Sequence, residues 1–284
     1  ISRTLIINQF LKFISNLYQT FFNVFLKSGL DNEIKTNRKN LAKIKSFVSI
    51  ESYNNSPDLY GLPKSNFKFI NSKQNNYPTY SDLLCYISKQ FTSTEIKYIE
   101  IGVSVLKNFY QISSYLNKSK LYAFDINEIN PEIEKLFLKV NNDKNIRQYE
   151  FNSNKIHYFQ GSVFNKSDLN NFLSLTGRAN IIFSDAHHSY EGLVSEYKYF
   201  IENALSEEFL IYYDDLSPNL LRAFKEISLE INKKHRNVSS ATFLINGWLG
   251  NHEKMHKNGF ITNLNIEDAF KRDGVKLLNI NYLN

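Results

Sequence analysis

Apolar and polar residues follow two different periods along this chain, and each change of period marks an element. Short apolar runs bounded by polar or small residues occur at 97–103 (KYIEIGV), 120–126 (KLYAFDI), 155–161 (KIHYFQG), 179–185 (ANIIFSD) and 209–215 (FLIYYDD). Two more follow at 239–246 (SSATFLIN) and 260–264 (FITNL). Runs this short, rich in Ile, Tyr and Phe, predict buried strands. Between the first six, apolar residues recur at helical spacing over 105–117, 131–141, 167–175, 189–204 and 218–234. Pro131 and Pro218 stand near two of the predicted helix starts, where a missing amide hydrogen costs nothing. Strand and helix in regular alternation predict a parallel sheet wrapped by helices. The last two runs lack a helical segment between them, so they predict an antiparallel pair joined by a long 247–259 loop. The expected fold class is α/β: a Rossmann-like, doubly wound, mostly parallel seven-stranded sheet with an antiparallel last strand, plus a helical N-terminal extension.

That extension has its own pattern. Phe10, Ile14, Leu17, Phe21 and Phe25 recur at helical spacing, with Asn8, Lys12, Ser15, Gln19 and Asn23 between them. The spacing predicts an amphipathic helix over 1–27 that packs on its own domain or on a second copy, the latter giving a homo-oligomer through this helix. No run there exceeds three strongly apolar residues, whereas a membrane span needs about 18. Residues 52–79, rich in Asn, Ser, Pro and Tyr, read as a loop-rich connector. The chain therefore divides into an N-terminal extension and connector over 1–79 and an α/β domain over 80–284.

Composition narrows the chemistry. The single cysteine, Cys85, excludes an internal disulfide framework and a thiolate zinc site, and a reducing, cytoplasmic setting is the simpler reading. A net charge of +6 is modest, and its basic residues are scattered, with small groups at Lys35-Arg38-Lys39-Lys43-Lys45 and Lys233-Lys234-His235-Arg236. Solvated helix faces explain such groups, and a nucleic-acid partner would call for a contiguous basic face.

In a doubly wound sheet, ligands bind beyond the carboxyl ends of the strands. The residues there are Glu100 and Gly102, Asp125, Gly161-Ser162, Asp185 to His188, and Asp214-Asp215. Glycine after the first strand admits close approach to the backbone, and the helix that follows offers unpaired amides. Asp125 follows Gly102 at about the spacing at which an acid binds ribose hydroxyls, although a cap for the next helix would also use it. Asp185 and Asp214-Asp215 can converge on one cation if their strands are neighbours, which lie roughly 4.8 Å apart. Carboxylates capping the helices at 189 and 218 are the alternative. Histidine near pKa 6.5 suits proton transfer, and His188 or His187 could serve or merely line a pocket. Trp248, His252 and His256 could suggest zinc, but their loop character and the lack of thiolates favour a pocket rim.

The segments YIEIGVS, LYAFDI, YFQGS, IIFSDAHHSYEG and YYDDLSP together resemble class I S-adenosylmethionine (SAM)-dependent methyltransferases. The likeness is nearest to the small-molecule O-methyltransferase branch that includes macrocin and mycinamicin sugar methyltransferases. It covers about residues 80 to 265, and INGWLGNHEKMH, residues 245 to 256, also looks familial. The resemblance implies that Glu100, Gly102 and Ser104 cradle the methionine part of SAM, Asp125 takes the ribose hydroxyls, and Gly161-Ser162 borders the adenine. Asp185 would stand at the cofactor's edge and, with Asp214 and Asp215, hold Mg²⁺ or a similar divalent cation, while His188 would be the general base. The implied reaction is methyl transfer to a hydroxyl of a small acceptor, a sugar foremost. Val103-Ser104-Val105-Leu106-Lys107 lacks the glycines usual in that turn, and Ser162 replaces a common acid. The rival readings are a nucleic-acid methyltransferase and a non-catalytic SAM-type fold kept for binding or assembly.

Overall fold

The computed structural model describes residues 14, 29–43, 77–142, 146–247 and 255–283. Of the apolar stripe at 10–25, only Ile14 lies among them, 45% exposed, and the connector lies outside them up to residue 76. Residues 29–43 form a helix, α1. Then come α2 (Tyr80–Ser88), β1 (Lys97–Ile101), α3 (Lys107–Tyr115), β2 (Lys120–Asp125) and α4 (Pro131–Glu134). β3 (Leu138–Asn142), β4 (Ile146–Phe151), β5 (Asn154–Gln160), α5 (Lys166–Thr176), β6 (Ala179–Ser184) and α6 (Tyr190–Glu196) follow. α6 runs through a π-helical turn, Tyr197–Ile201, into Glu202–Ala204. The rest is β7 (Leu205–Tyr213), α7 (Pro218–Lys234), β8 (Ser239–Ile245), β9 (His256–Thr262), α8 (Ile266–Asp273) and β10 (Leu278–Leu283).

The strands form one mixed sheet in the order β10-β8-β9-β7-β6-β1-β2-β5-β4-β3. β5, β2, β1, β6 and β7 are parallel, and β9 lies antiparallel between β7 and β8. The parallel block and the antiparallel β9 agree with the expected pattern, but among the described residues the sheet has ten strands rather than seven. Residues 138–142, expected at the end of a helix over 131–141, pair instead with β4. Ile133, Leu136, Phe137 and Val140 suit a helical spacing, but Leu138 and Val140 are 68% and 58% exposed on the outermost strand. β4 and β10 escape sequence reading because each is only half covered and presents few buried apolar residues. β9 begins at His256, four residues before the predicted strand, which shortens the 247–259 loop.

Alternation along the strands builds two cores. Tyr98, Leu121, Ile181, Phe183, Leu210, Tyr212 and Phe260 face α2 and α3. Ile99, Phe124, Ile182, Ile211, Tyr213 and Ile261 face α5 and α7. Side chains of period two thus bury both faces, which defines the doubly wound class. Local signals start the helices: Thr79 and Asp82 form a capping box at α2, Ser189 caps α6, and Pro218 opens α7. α1 docks through the Arg38–Asp82 ion pair at 2.8 Å, and Leu30, Ile34 and Leu41 enter the same core as β1 and β6. Among the described residues no helix is long and apolar enough to cross a membrane.

Candidate functional site

From β1 the chain passes to β2 on one side and later to β6 on the other, so the gap between β1 and β6 is the topological switch point. The strand-end residues gather there in two groups.

The first group lies at the ends of β1 and β2. Glu100 is buried, and its Oε2 accepts hydrogen bonds from Tyr98 Oη at 2.5 Å and Asn108 Nδ2 at 2.9 Å. Burial pushes its carboxyl well above the usual range, against those two donors, and the fields of Asp185 and Asp125 add to the rise. Asp125 accepts from the backbone amides of Val103 at 2.9 Å, Ser104 at 3.0 Å and Asn127 at 2.9 Å. Burial raises its pKa even so, with the three amides opposing. Those bonds hold a turn in which Ser104 and Leu106 have φ of 45° and 62°, backbone that glycine adopts more readily. The carboxylate thus performs the shaping that the missing glycines would make easy. Gly102 has φ 84°, and a Cβ there would collide with the backbone of Asp185 and Ala186. What Gly102 admits is the chain's own backbone at the end of β6. At the end of β5, the Gly161 amide donates to the Asp125 carbonyl at 2.8 Å, and the Ser162 amide donates to Asp168 Oδ2 at 2.9 Å.

The second group lies at the ends of β6 and β7, which are neighbours. The ladder runs on for one residue, with the Asp185 amide donating to Ile101 O at 2.8 Å and the Asp214 amide to Ser184 O at 3.2 Å. Alternation therefore leaves Asp185 and Asp214 on the face that carries Phe183 and Tyr212. His188 Nε2 lies 3.1 Å from Asp185 Oδ1, and that bond raises the imidazole to about 9, against its partial burial. Burial raises Asp185, with His188 opposing and Asp215 adding to the rise. Asp214 is pushed up to about 8, first by burial and then by the charges of Asp185 and Asp215. Asp215 holds a left-handed φ of 48°. His187 stands apart, bonded to Ser189 Oγ at 2.9 Å and set edge-on against the exposed Phe164 ring at 4.8 Å.

Sequence reading missed Asn258 here and set His256 aside as a loop residue at a pocket rim. β9 runs antiparallel to β7, so it starts where β7 ends, pairing Tyr213 with Gly259. That places His256 Nδ1 on Asp215 Oδ1 and Asn258 Nδ2 on Asp214 Oδ1. Burial pulls the His256 pKa down, but the bond to Asp215 and the field of Asp214 outweigh it and leave it raised. Ligand atoms of Asp214, Asp215 and His256 all lie within 4.8 Å of one another. Asp185 sits beside this trio, engaged with His188. The signal was the polar run His256-Lys257-Asn258 ahead of Phe260, hidden because the strand was taken to begin at 260. Trp248 and His252 lie outside the described residues.

The donor chemistry suits a divalent cation: neighbouring carboxylates that raise one another's pKa, with an imidazole beside them. It also suits a ligand with an ammonium group and vicinal hydroxyls, which the Glu100 carboxylate can meet, as can Asp125 where a hydroxyl replaces the Asn127 side chain that also bonds it.

No family model and no curated protein matches the chain. Among solved structures, the chain is similar to the MycE methyltransferase of the mycinamycin biosynthetic pathway, in complex with Mg, SAH and mycinamycin VI. The identity is 14% and the TM-score 0.39, over 61% of this chain and 46% of that one. It is also similar to an O-methyltransferase from Bacillus cereus in complex with SAH, at 12% identity and TM-score 0.47, over 75% of this chain and 90% of that one. A spermidine synthase in complex with the transition state analogue AdoDATO is similar at 14% identity and TM-score 0.38, over 65% and 59%. The chain spans about half the length of the MycE chain.

Proposed function

We propose that this protein is a SAM-dependent O-methyltransferase of the small-molecule class, acting on a hydroxyl of a sugar-like acceptor with the help of a divalent cation. The observation that supports it most is the pair of strand-end groups on either side of the switch point. One suits an ammonium and a diol, and the other suits a cation with a histidine beside it. Residues 80–284 carry the transferase in this reading, 1–79 extend it, and the setting is cytoplasmic.

Glu100 binds the ammonium of the cofactor's methionine part, and its raised pKa falls as that charge is paired. Asp125 accepts a ribose hydroxyl while keeping the 103–104 turn closed, Ser104 borders the methionine part, and Gly161-Ser162 flank the adenine. When bound, SAM supplies an electrophilic methyl group. Asp214 and Asp215, with Asp185 alongside, hold the divalent cation, Mg²⁺ or a relative, which when bound lowers the pKa of an acceptor hydroxyl. Asp185 holds His188 through Nε2, so Nδ1 is the atom that takes the acceptor's proton once a bound cation's charge, opposing the rise that Asp185 causes, has left the ring neutral. Phe164 and His187 line the acceptor's approach.

A second reading, a SAM-type fold kept for binding or assembly, is favoured by one observation. Gly102 and Asp125 are both used by the chain's own backbone. The test is methyl transfer from labelled SAM to a panel of sugars and phenols, run with the divalent cation and again in chelator. Cation-dependent labelling of a hydroxyl supports the enzyme. SAM binding without transfer to any acceptor supports the second reading.

A further inference from the structure

The two residues from β9 carry information beyond that reading. Strand-end carboxylates alone would make an all-oxygen site, the kind that suits Mg²⁺. Here the antiparallel strand contributes His256 beside Asp215 and Asn258 beside Asp214. Leu216 N donates to Lys257 O at 2.7 Å, which fixes the start of β9 against the turn that carries the two aspartates. Asn258 is fully buried, and its Oδ1 has no hydrogen-bond partner. A buried carbonyl oxygen without a donor is unfavourable unless something not yet present meets it. The same amide touches Asp214, so a cation between them would find that oxygen by a turn of the amide plane. Tyr212 Oη, buried on the same sheet face, is likewise unpartnered.

We infer that β9 completes the metal centre, with His256 ligating through its imidazole and Asn258 through Oδ1 beside Asp214 and Asp215. This mixed nitrogen–oxygen set takes a first-row transition dication in preference to Mg²⁺. The inference rests on the placing of a cation at Asp214 and Asp215 proposed above. It assigns the ligands and the class of ion. Imidazole suits transition ions, carboxylate and amide oxygens suit hard ones, and Mn²⁺ or Fe²⁺ accept both. The bare alternative is that His256 and Asp215 form an ion pair that needs no metal.

The experiment uses the full chain with Mn²⁺ alone and Mg²⁺ alone, measured by calorimetry, with pulsed electron paramagnetic resonance on the Mn²⁺ complex. The expected result is one Mn²⁺ site at least about tenfold tighter than Mg²⁺, with ¹⁴N coupling from a bound imidazole. His256→Gln removes the ¹⁴N coupling and weakens Mn²⁺ by about 10–100-fold, leaving Mg²⁺ within about twofold. Asn258→Leu weakens both ions, and circular dichroism checks that each variant is folded. The inference is overturned by Mn²⁺ bound without nitrogen coupling, by Mg²⁺ as tight as Mn²⁺, or by no cation bound at all. The wild-type spectrum decides the ligand even if a variant fails to fold. None of these measurements reads methyl transfer. Mn²⁺ held by His256 in a chain that methylates nothing leaves this inference standing and removes the proposed activity. A Mg²⁺-dependent transferase indifferent to His256→Gln does the reverse.

Discussion

The two halves of the site treat their acids in opposite ways. At the ends of β1 and β2, Glu100 and Asp125 are surrounded by donors from their own chain: Tyr98, Asn108 and three backbone amides. At the ends of β6 and β7, Asp185, Asp214 and Asp215 face one another, and their compensation comes from two histidines and one amide. The first half is a shaped socket that is complete before a ligand arrives. The second half holds an excess of negative charge, and burial, with the charges of Asp185 and Asp215 adding to it, pushes Asp214 up to about 8. A neutral diol and an ammonium suit the first, and a dication suits the second.

The contrast is broken most severely at the histidine. His188→Ala should leave SAM and cation bound yet slow transfer by about 10²–10⁴-fold, measured as kcat with a saturating acceptor. An unchanged kcat would move the proton acceptor elsewhere. Next comes the seam between the halves. Gly102→Ala puts a Cβ into the Asp185–Ala186 backbone at φ 84°, so urea unfolding should show a loss of about 3–5 kcal/mol. A loss below about 1 kcal/mol would mean the strand ends part freely.

Beneath the second half lies a further acid. Glu196 accepts from Ser184 Oγ at 2.6 Å while its other oxygen is buried without a partner, and burial pushes it up to about 8. Its folded pKa exceeds its unfolded value near 4.5, so the native state holds the proton more tightly. The associated stability is present below about pH 4.5 and is lost as pH rises towards 8. Glu196→Gln should therefore match the wild type near pH 4.5 and exceed it by on the order of 3 kcal/mol at pH 9 in denaturant titrations. Equal stabilities at pH 9 would contradict the assignment. The smallest effect belongs to the socket. Asp125→Ala should weaken SAM by about 1.5–3 kcal/mol in calorimetry, and Asp125→Asn, which keeps one acceptor oxygen for the 103–104 amides, should weaken it less. Equal losses would separate the turn from the ligand.

Strands buried on both faces were legible, and β1, β2 and β6 lie inside the apolar runs that predicted them. Continuous apolar runs such as Ile181-Ile182-Phe183 leave little room for another period. β3, β4 and β10 were not legible, because β3 and β10 are the edge strands and Tyr149 is the only fully buried residue of β4 beside them. The positions of the strand-end acids could be read from spacing. Their satisfaction could not, since Asp125 is met by amides 21 and 22 residues away. His256 was seen as a loop residue because its role depends on an antiparallel neighbour that brings the start of one strand to the end of another.

The most direct measurement is transfer of a labelled methyl group from SAM to a hydroxyl acceptor by the intact chain, first with divalent cation, then in chelator, then with cation restored. The account predicts transfer that disappears with the cation and returns with it. Transfer that continues undiminished in chelator would contradict it.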